Sequence, residues 1–186
     1  MAATNHDRVG KALELLNTGL KPFVERELKS NYAQNWFAEV KQTLAGTQLQ
    51  LLGTEQKPQC DVAALLTTLW NQWNEVFRKT LGHTERTFVS ELREVRNKWA
   101  HQRPFSTDDA YRALDSVSRL LISVSAATEA DEVEKMKMEL LRLRFDEQVR
   151  SEKRRSSSTP LESQTVSNLK PWREVITPHA DVAKGS

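Results

Sequence analysis

Pro104 constrains the middle of this chain more tightly than any other residue. A proline disfavours helix at the residue before it, so a helix arriving from the N-terminal side ends by Arg103. Just behind it, Ser106-Thr107-Asp108-Asp109 matches a capping box, the pattern that opens a new helix. Before the proline, Phe88, Leu92, Val95 and Trp99 recur at spacings of four, three and four, the narrow stripe of a helix with one side buried. After it, Ala110, Leu114, Val117, Leu121 and Val124 keep the same period. Two amphipathic helices joined by so short a turn pack as an antiparallel pair, and a chain built on such a pair is a helical bundle.

The remaining segments supply its other helices. Val9, Leu13, Leu16 and Leu20 form a helical face, with Thr4 or Asn5 able to cap its start and Gly19 near its expected end. Pro22 suits the first turn of a second helix carrying Phe23, Val24 and Leu28, and Trp36, Phe37, Val40 and Leu44 mark a third. Residues 46–59 read as a loop, with Leu49, Leu51 and Leu52 tucked onto the core. Asp61 is an N-cap for a broad stripe from Val62 through Leu65, Leu66, Leu69, Trp70, Trp73, Val76 and Phe77 to Leu81, with Gly82 as the stop. Trp70, Trp73 and Phe77 are read as packing. Thr128-Glu129-Ala130-Asp131 then opens a charged segment with Val133, Met136, Leu140, Leu143 and Phe145 along it, acidic first and basic last, in keeping with a helix dipole. The stretch 151–167 reads as disorder, and Leu169 to Ile176 as an apolar island too small for a core. The expectation is an all-α, up-and-down bundle of four or more helices over 1–127, a charged helical arm over 128–155, and a flexible tail or linker to a further domain over 156–186.

Composition narrows the function. The net charge of +2 is too small to announce a nucleic-acid binder, so any such role rests on local charge. Cys60 is the sole cysteine, so no intramolecular disulfide forms and no thiolate zinc site can be built. Its position at a helix start suggests a lowered thiol pKa. The histidines at 6, 83, 101 and 179 have no metal-ligand spacing, and no apolar run reaches membrane-spanning length. We therefore expect no metal, no cofactor, no membrane and a cytoplasmic location. His6 and His179 fall in segments read as flexible ends, and His83 is a reserve catalytic candidate.

The chemistry concentrates in Arg96-Asn97-Lys98-Trp99-Ala100-His101. Residues four apart on a helix are nearly aligned, so Asn97 can orient the His101 imidazole, whereas Arg96 and His101 point about 140° apart. An imidazole with an ordinary pKa of about 6.5 can deprotonate a ribose 2′-OH or protonate a leaving 5′ oxygen. A guanidinium can hold the negative charge that builds up at phosphorus. One Arg and one His turned apart favour a site completed by a second copy across a two-fold axis. Arg86, Arg93, Lys98 and Arg103 add positive charge for phosphates, interrupted by Glu91 and Glu94. From spacing alone, Arg96 and His101 also read as surface cations at a helix C-terminus, favoured by its dipole.

The segment from Gly82 through Glu91-Leu92-Arg93 to His101 resembles the motif region of the HEPN (higher eukaryotes and prokaryotes nucleotide-binding) superfamily. It is most similar to the C-terminal domain of a nuclear endonuclease of mRNA surveillance and its bacterial relatives. The likeness spans roughly Asp7 to Ala127. The pattern is Arg, then usually Asn, Asp or His, then three or four residues, then His, and Arg96, Asn97 and His101 meet it. The resemblance implies a homodimer whose paired Arg96 and His101 form one RNA-cleaving cleft, with Asn97 assisting and Lys98, Arg93 and Arg103 binding RNA. It also implies 2′,3′-cyclic phosphate products, a place in bacterial defence or toxin modules, and an ATPase or regulatory partner or fused domain. The alternative is a non-catalytic HEPN-like adaptor that binds RNA, a nucleotide or a protein.

Overall fold

The computed structural model describes residues 3–46, 53–54, 57–58 and 60–158, and falls into two compact units, Met1–Arg144 and Phe145–Ser186. The described residues form six α-helices: α1 (Asn5–Tyr32), α2 (Trp36–Thr43), α3 (Val62–Asn71), α4 (His83–Ala100), α5 (Thr107–Ser123) and α6 (Ala127–Ser158). Short 3₁₀ turns cover Ala33–Asn35 and Phe77–Lys79, and a two-residue antiparallel ladder pairs Gly53–Thr54 (β1) with Lys57–Pro58 (β2) inside the expected loop. The class is all-α.

In the first unit, α1 packs against α3, α4 and α5, while α4 has α3 on one side and α5 on the other. The core between them holds Leu16, Leu20, Leu28, Leu66, Leu69, Phe77, Val89, Leu92, Leu114 and Leu121, all at most 1% exposed. Fully burying an aliphatic side chain of this kind stabilises by roughly 1.5–3 kcal/mol, so this interior outweighs every surface pair described below. Ala130, Val133 and Leu140 of α6 belong to the same core. Lys137 ties α6 to α5 through Asp115 (3.1 Å), and Arg144 does so through Asp108 (2.9 Å).

Three helix boundaries differ from expectation. The two N-terminal segments are one helix, α1, running through Gly19 and Pro22. Its buried stripe Leu13, Leu16, Leu20, Val24 and Leu28 stays in phase across the junction, so packing outweighs the single hydrogen bond that Pro22 cannot donate. Gly19 is there for closeness: a Cβ would lie 2.8 Å from that of Ala126 and overlap the Leu121 side chain. Second, α3 stops at Asn71 instead of reaching Gly82. Beyond it the backbone loosens, with Arg78 N–H donating five residues back to the Trp73 carbonyl (2.8 Å). That irregular stretch buries Gln72, Trp73, Val76 and Phe77 together. The Gln72 side chain accepts from the Tyr32 hydroxyl at 2.7 Å. Third, the helix α6 covers the arm expected to 155 and runs three residues beyond it to Ser158, into the stretch 151–167 that reads as disorder. Arg, Lys and Glu propagate helix well and a basic end suits the C-terminal dipole. Leu49, Leu51 and Leu52, expected on the core, His179 and the island Leu169–Ile176 lie outside the described residues.

Candidate functional site

The Arg96–His101 segment closes α4, and a cap holds it there. His101 is the C-cap, its N–H donating to the Asn97 carbonyl (3.1 Å). Gln102 follows with φ of 55°, in the left-handed region, so that its N–H meets the Trp99 carbonyl (3.0 Å) and the Arg103 N–H the Lys98 carbonyl (3.1 Å). This pair of bonds is a Schellman motif, here built without glycine. Holding a non-glycine residue in that region costs on the order of 1–3 kcal/mol, which the surrounding packing supplies. Phe105 is buried just beyond, and Ser106 and Asp109 form the expected box, the Ser106 hydroxyl accepting from Asp109 N–H at 3.1 Å.

The N-terminus takes part as well. His6, expected in a flexible end, lies in the first turn of α1 and stacks on Trp99, with ring centroids 5.6 Å apart and planes 18° from parallel. Its Nε2 lies 3.1 Å from the Trp99 carbonyl. Trp99 is half-buried and comes so close to α1 that a Cβ on Gly10 would stand 2.8 Å from its Nε1. An aromatic at position 99 was legible in the sequence; the ring stacked on it was not.

The candidate side chains divide between two hollows. The first, about 270 Å³ between α3 and α4, is lined by Ala63, Leu66, Thr67, Arg93, Arg96 and Asn97. The second, about 520 Å³ at the end of α4, is lined by Glu94, Asn97, Lys98, His101 and Arg103. Asn97 borders both. Arg96 and His101 therefore open to different sides of one chain, in keeping with their angular separation on the helix. Among the described residues, the Asn97 amide and the His101 ring are not hydrogen-bonded to each other. His101, Asn97 and Arg103 are exposed and Arg96 is partly so, so none is sealed in the bundle. His83 begins α4, about 27 Å from His101 at 1.5 Å per residue, too far to act on the same phosphate within one chain.

Electrostatics separate the basic residues further. Arg96 Nη2 lies 3.3 Å from Asp61 Oδ2, while the other Asp61 oxygen caps α3 by accepting from Ala64 N–H (2.8 Å). The pair is partly solvated, with 29% and 47% of the two side chains exposed, so it is worth only about 0.2–1 kcal/mol and can be exchanged for another anion. Lys98 is more committed: it lies 2.8 Å from Asp109 and over the Phe105 ring (4.7 Å). Its hydrogen bond, with that from the Ser106 N–H, holds the Asp109 carboxyl below its ordinary value. Arg93 and Arg86 lie with their guanidinium carbons 5.3 and 4.9 Å from the Trp70 ring centre. Trp73 and Phe77 are core as expected; Trp70 is only half-buried and carries these two cations. Cys60 reverses its expectation: burial pushes the thiol up rather than down, against the pull of Lys21. Among the described residues no His, Cys, Asp and Glu side chains cluster to hold a metal ion, and no helix is long and apolar enough to cross a membrane.

The family model of the Swt1-like HEPN domains matches residues 11–125. The chain belongs to that family. Its members are associated with ribonuclease activity, and HEPN domains typically bind RNA and dimerise. The matched span takes in most of α1 and all of α2 to α5, including the whole Arg96-Asn97-x-x-x-His101 string. No curated protein and no solved structure matches the chain.

Proposed function

We propose that this Swt1-like HEPN chain is a metal-independent endoribonuclease acting as a homodimer. The observation that carries the reading is an intact Arg96-Asn97-x-x-x-His101 string on a solvent-open helix end in a chain of this family. The ribose 2′-oxygen attacks the adjacent phosphorus as its proton passes to one His101 imidazole. The bond from phosphorus to the 5′ oxygen breaks, and the second His101 returns a proton to that oxygen. The products are a 2′,3′-cyclic phosphate and a 5′-OH. Arg96 donates to the non-bridging oxygens as charge accumulates, and Asn97 is the positioning residue between them. The separation of Arg96 and His101 onto two hollows of one chain supports a composite site, since a two-fold axis can bring one copy's Arg96 beside the other's His101. DNA, which has no 2′-OH, is not cut. By the same likeness the proposed setting is a bacterial defence or toxin-like system, with an ATPase or regulatory protein as partner or fused domain.

The test is cleavage of total RNA by purified protein in excess chelator, comparing wild type with His101→Ala. The expected result is chelator-resistant cleavage that drops by about 10²–10⁴-fold in the variant while its helical circular dichroism is unchanged. Undiminished cutting by the variant would refute the assignment. A folded dimer that binds RNA and never cuts it would be the non-catalytic adaptor instead.

A further inference from the structure

We infer that single-stranded RNA enters along the α3 side of α4, over a track formed by Arg86, Arg93 and Arg96, and not along the α5 side. The inference rests on the ribonuclease reading above and assigns the binding surface for its substrate. Three observations lead to it. Arg86 and Arg93 are seven residues apart, hence on one face of α4, and Arg96 follows one turn later. The run covers about 15 Å of helix axis at 1.5 Å per residue and ends beside Asn97, at the rim of the His101 hollow.

The second observation is how these cations are engaged. Among the described residues, neither Arg86 nor Arg93 has a carboxylate at ion-pairing distance; each rests on Trp70. Stacking on an indole face fixes a guanidinium plane and leaves its charge unneutralised. The Arg86 Nε is buried without a hydrogen-bond partner. Of the three, only Arg96 is paired among the described residues, and its partner Asp61 is half-exposed and exchangeable.

The third is the opposite face. There Glu91 is engaged by Arg112 and by the Ser116 hydroxyl (3.2 Å), and Lys98 by Asp109. Glu94 adds a further negative charge to the groove that Lys98 and Arg112 line. Among the described residues lining that groove, both cations, Lys98 and Arg112, are already paired, whereas the unpaired Arg103 lies beyond it at the His101 hollow. The occupant of the α3 side is a polymer backbone because the cations form a line about 15 Å long, of which the hollow of about 270 Å³ beside Arg93 and Arg96 takes up only one end. Arg86 continues the line beyond it. A single strand is taken because one line of cations meets one backbone.

The experiment is fluorescence anisotropy with a labelled single-stranded oligoribonucleotide, titrated at several salt concentrations in a His101→Ala background so that the probe stays intact. Arg86→Gln with Arg93→Gln is expected to weaken binding several-fold and to flatten the slope of log K against log salt by about 1.4, since each lost phosphate contact on a single strand accounts for about 0.7. Arg93→Gln alone, which leaves Arg86 on Trp70, should give half that change and guards against a folding defect in the double variant. Arg112→Gln, on the other face, should change neither quantity. Unchanged affinity and slope in both track variants, or an equal loss in Arg112→Gln, overturns the track while leaving cleavage by wild type to stand. Failure of the parent to bind RNA at all overturns the ribonuclease reading and this inference together.

Discussion

The two long faces of α4 both carry charged residues and behave differently. Toward α5, Glu91, Lys98 and their partners Arg112 and Asp109 satisfy one another. Toward α3, Arg86 and Arg93 lean on an indole and Arg96 shares one carboxylate that already has another task. A count along the helix gives three arginines on one face and one lysine with two glutamates on the other, but does not say which charges are met. What distinguishes them is whether the neighbouring helix presents acids or an aromatic ring, so the useful measure of a basic surface is its unpaired charge.

The contrast can be broken most forcefully at turnover. Arg96→Gln should lower RNA cleavage by about 10²–10³-fold, the usual cost of removing one transition-state donor, whereas Lys98→Gln should change it only a few-fold. Steady-state cleavage in chelator measures both, and a Lys98 effect as large as that of Arg96 would reverse the assignment of faces. A smaller but structural effect is expected from Gly10→Ala. Its methyl group meets the Trp99 indole, and overpacking of this kind costs about 1–3 kcal/mol. Thermal melting should show the loss, and cleavage should fall further than stability alone explains, because Trp99 sits two residues before His101.

Asp61 sharpens the contrast at a scale of about 1 kcal/mol. Asp61→Ala removes the α3 cap and should destabilise by about 0.5–2 kcal/mol. Asp61→Asn retains capping ability, should melt close to wild type, and should tighten RNA binding because Arg96 is released from its charge. Weaker RNA binding by Asp61→Asn would mean that the carboxylate positions Arg96 for substrate instead of competing with it. The smallest effect belongs to the α5 face. The Asp109 carboxyl is held below its ordinary value of 3.8, chiefly by Lys98. A lowered folded-state value contributes stability that is complete above the ordinary value and is lost as pH falls through the lowered one. Acid titrations should therefore show wild type losing slightly more stability below pH 3.8 than Asp109→Asn does, by circular dichroism.

Much of this was legible in the residues themselves. Pro104, the Ser106 box and two stripes of constant period specified the α4–α5 hairpin, because caps and periodicity are local properties of a chain. The boundaries that went astray depend on distant partners. Gly19 and Pro22 read as punctuation, yet Leu121 and Ala126 require a side-chain-free surface at 19, and the core stripe carries the helix through 22. At the site, spacing correctly set Arg96 and His101 apart on the helix. It could not reveal that Lys98 is spoken for by Asp109, or that Trp70 supports two guanidiniums, because helical angles say where a side chain points and nothing of what waits there.

His6 against Trp99 has a practical consequence. Although 93 positions apart in sequence, the opening turn of α1 and the last turn of α4 bear on each other directly. Trimming the chain ahead of Val9, or loading it with a bulky affinity label, would remove a ring that braces the indole two positions before the imidazole. Such a preparation is expected to fold and yet to score poorly in the cleavage test proposed above, so labels belong elsewhere when that test is run.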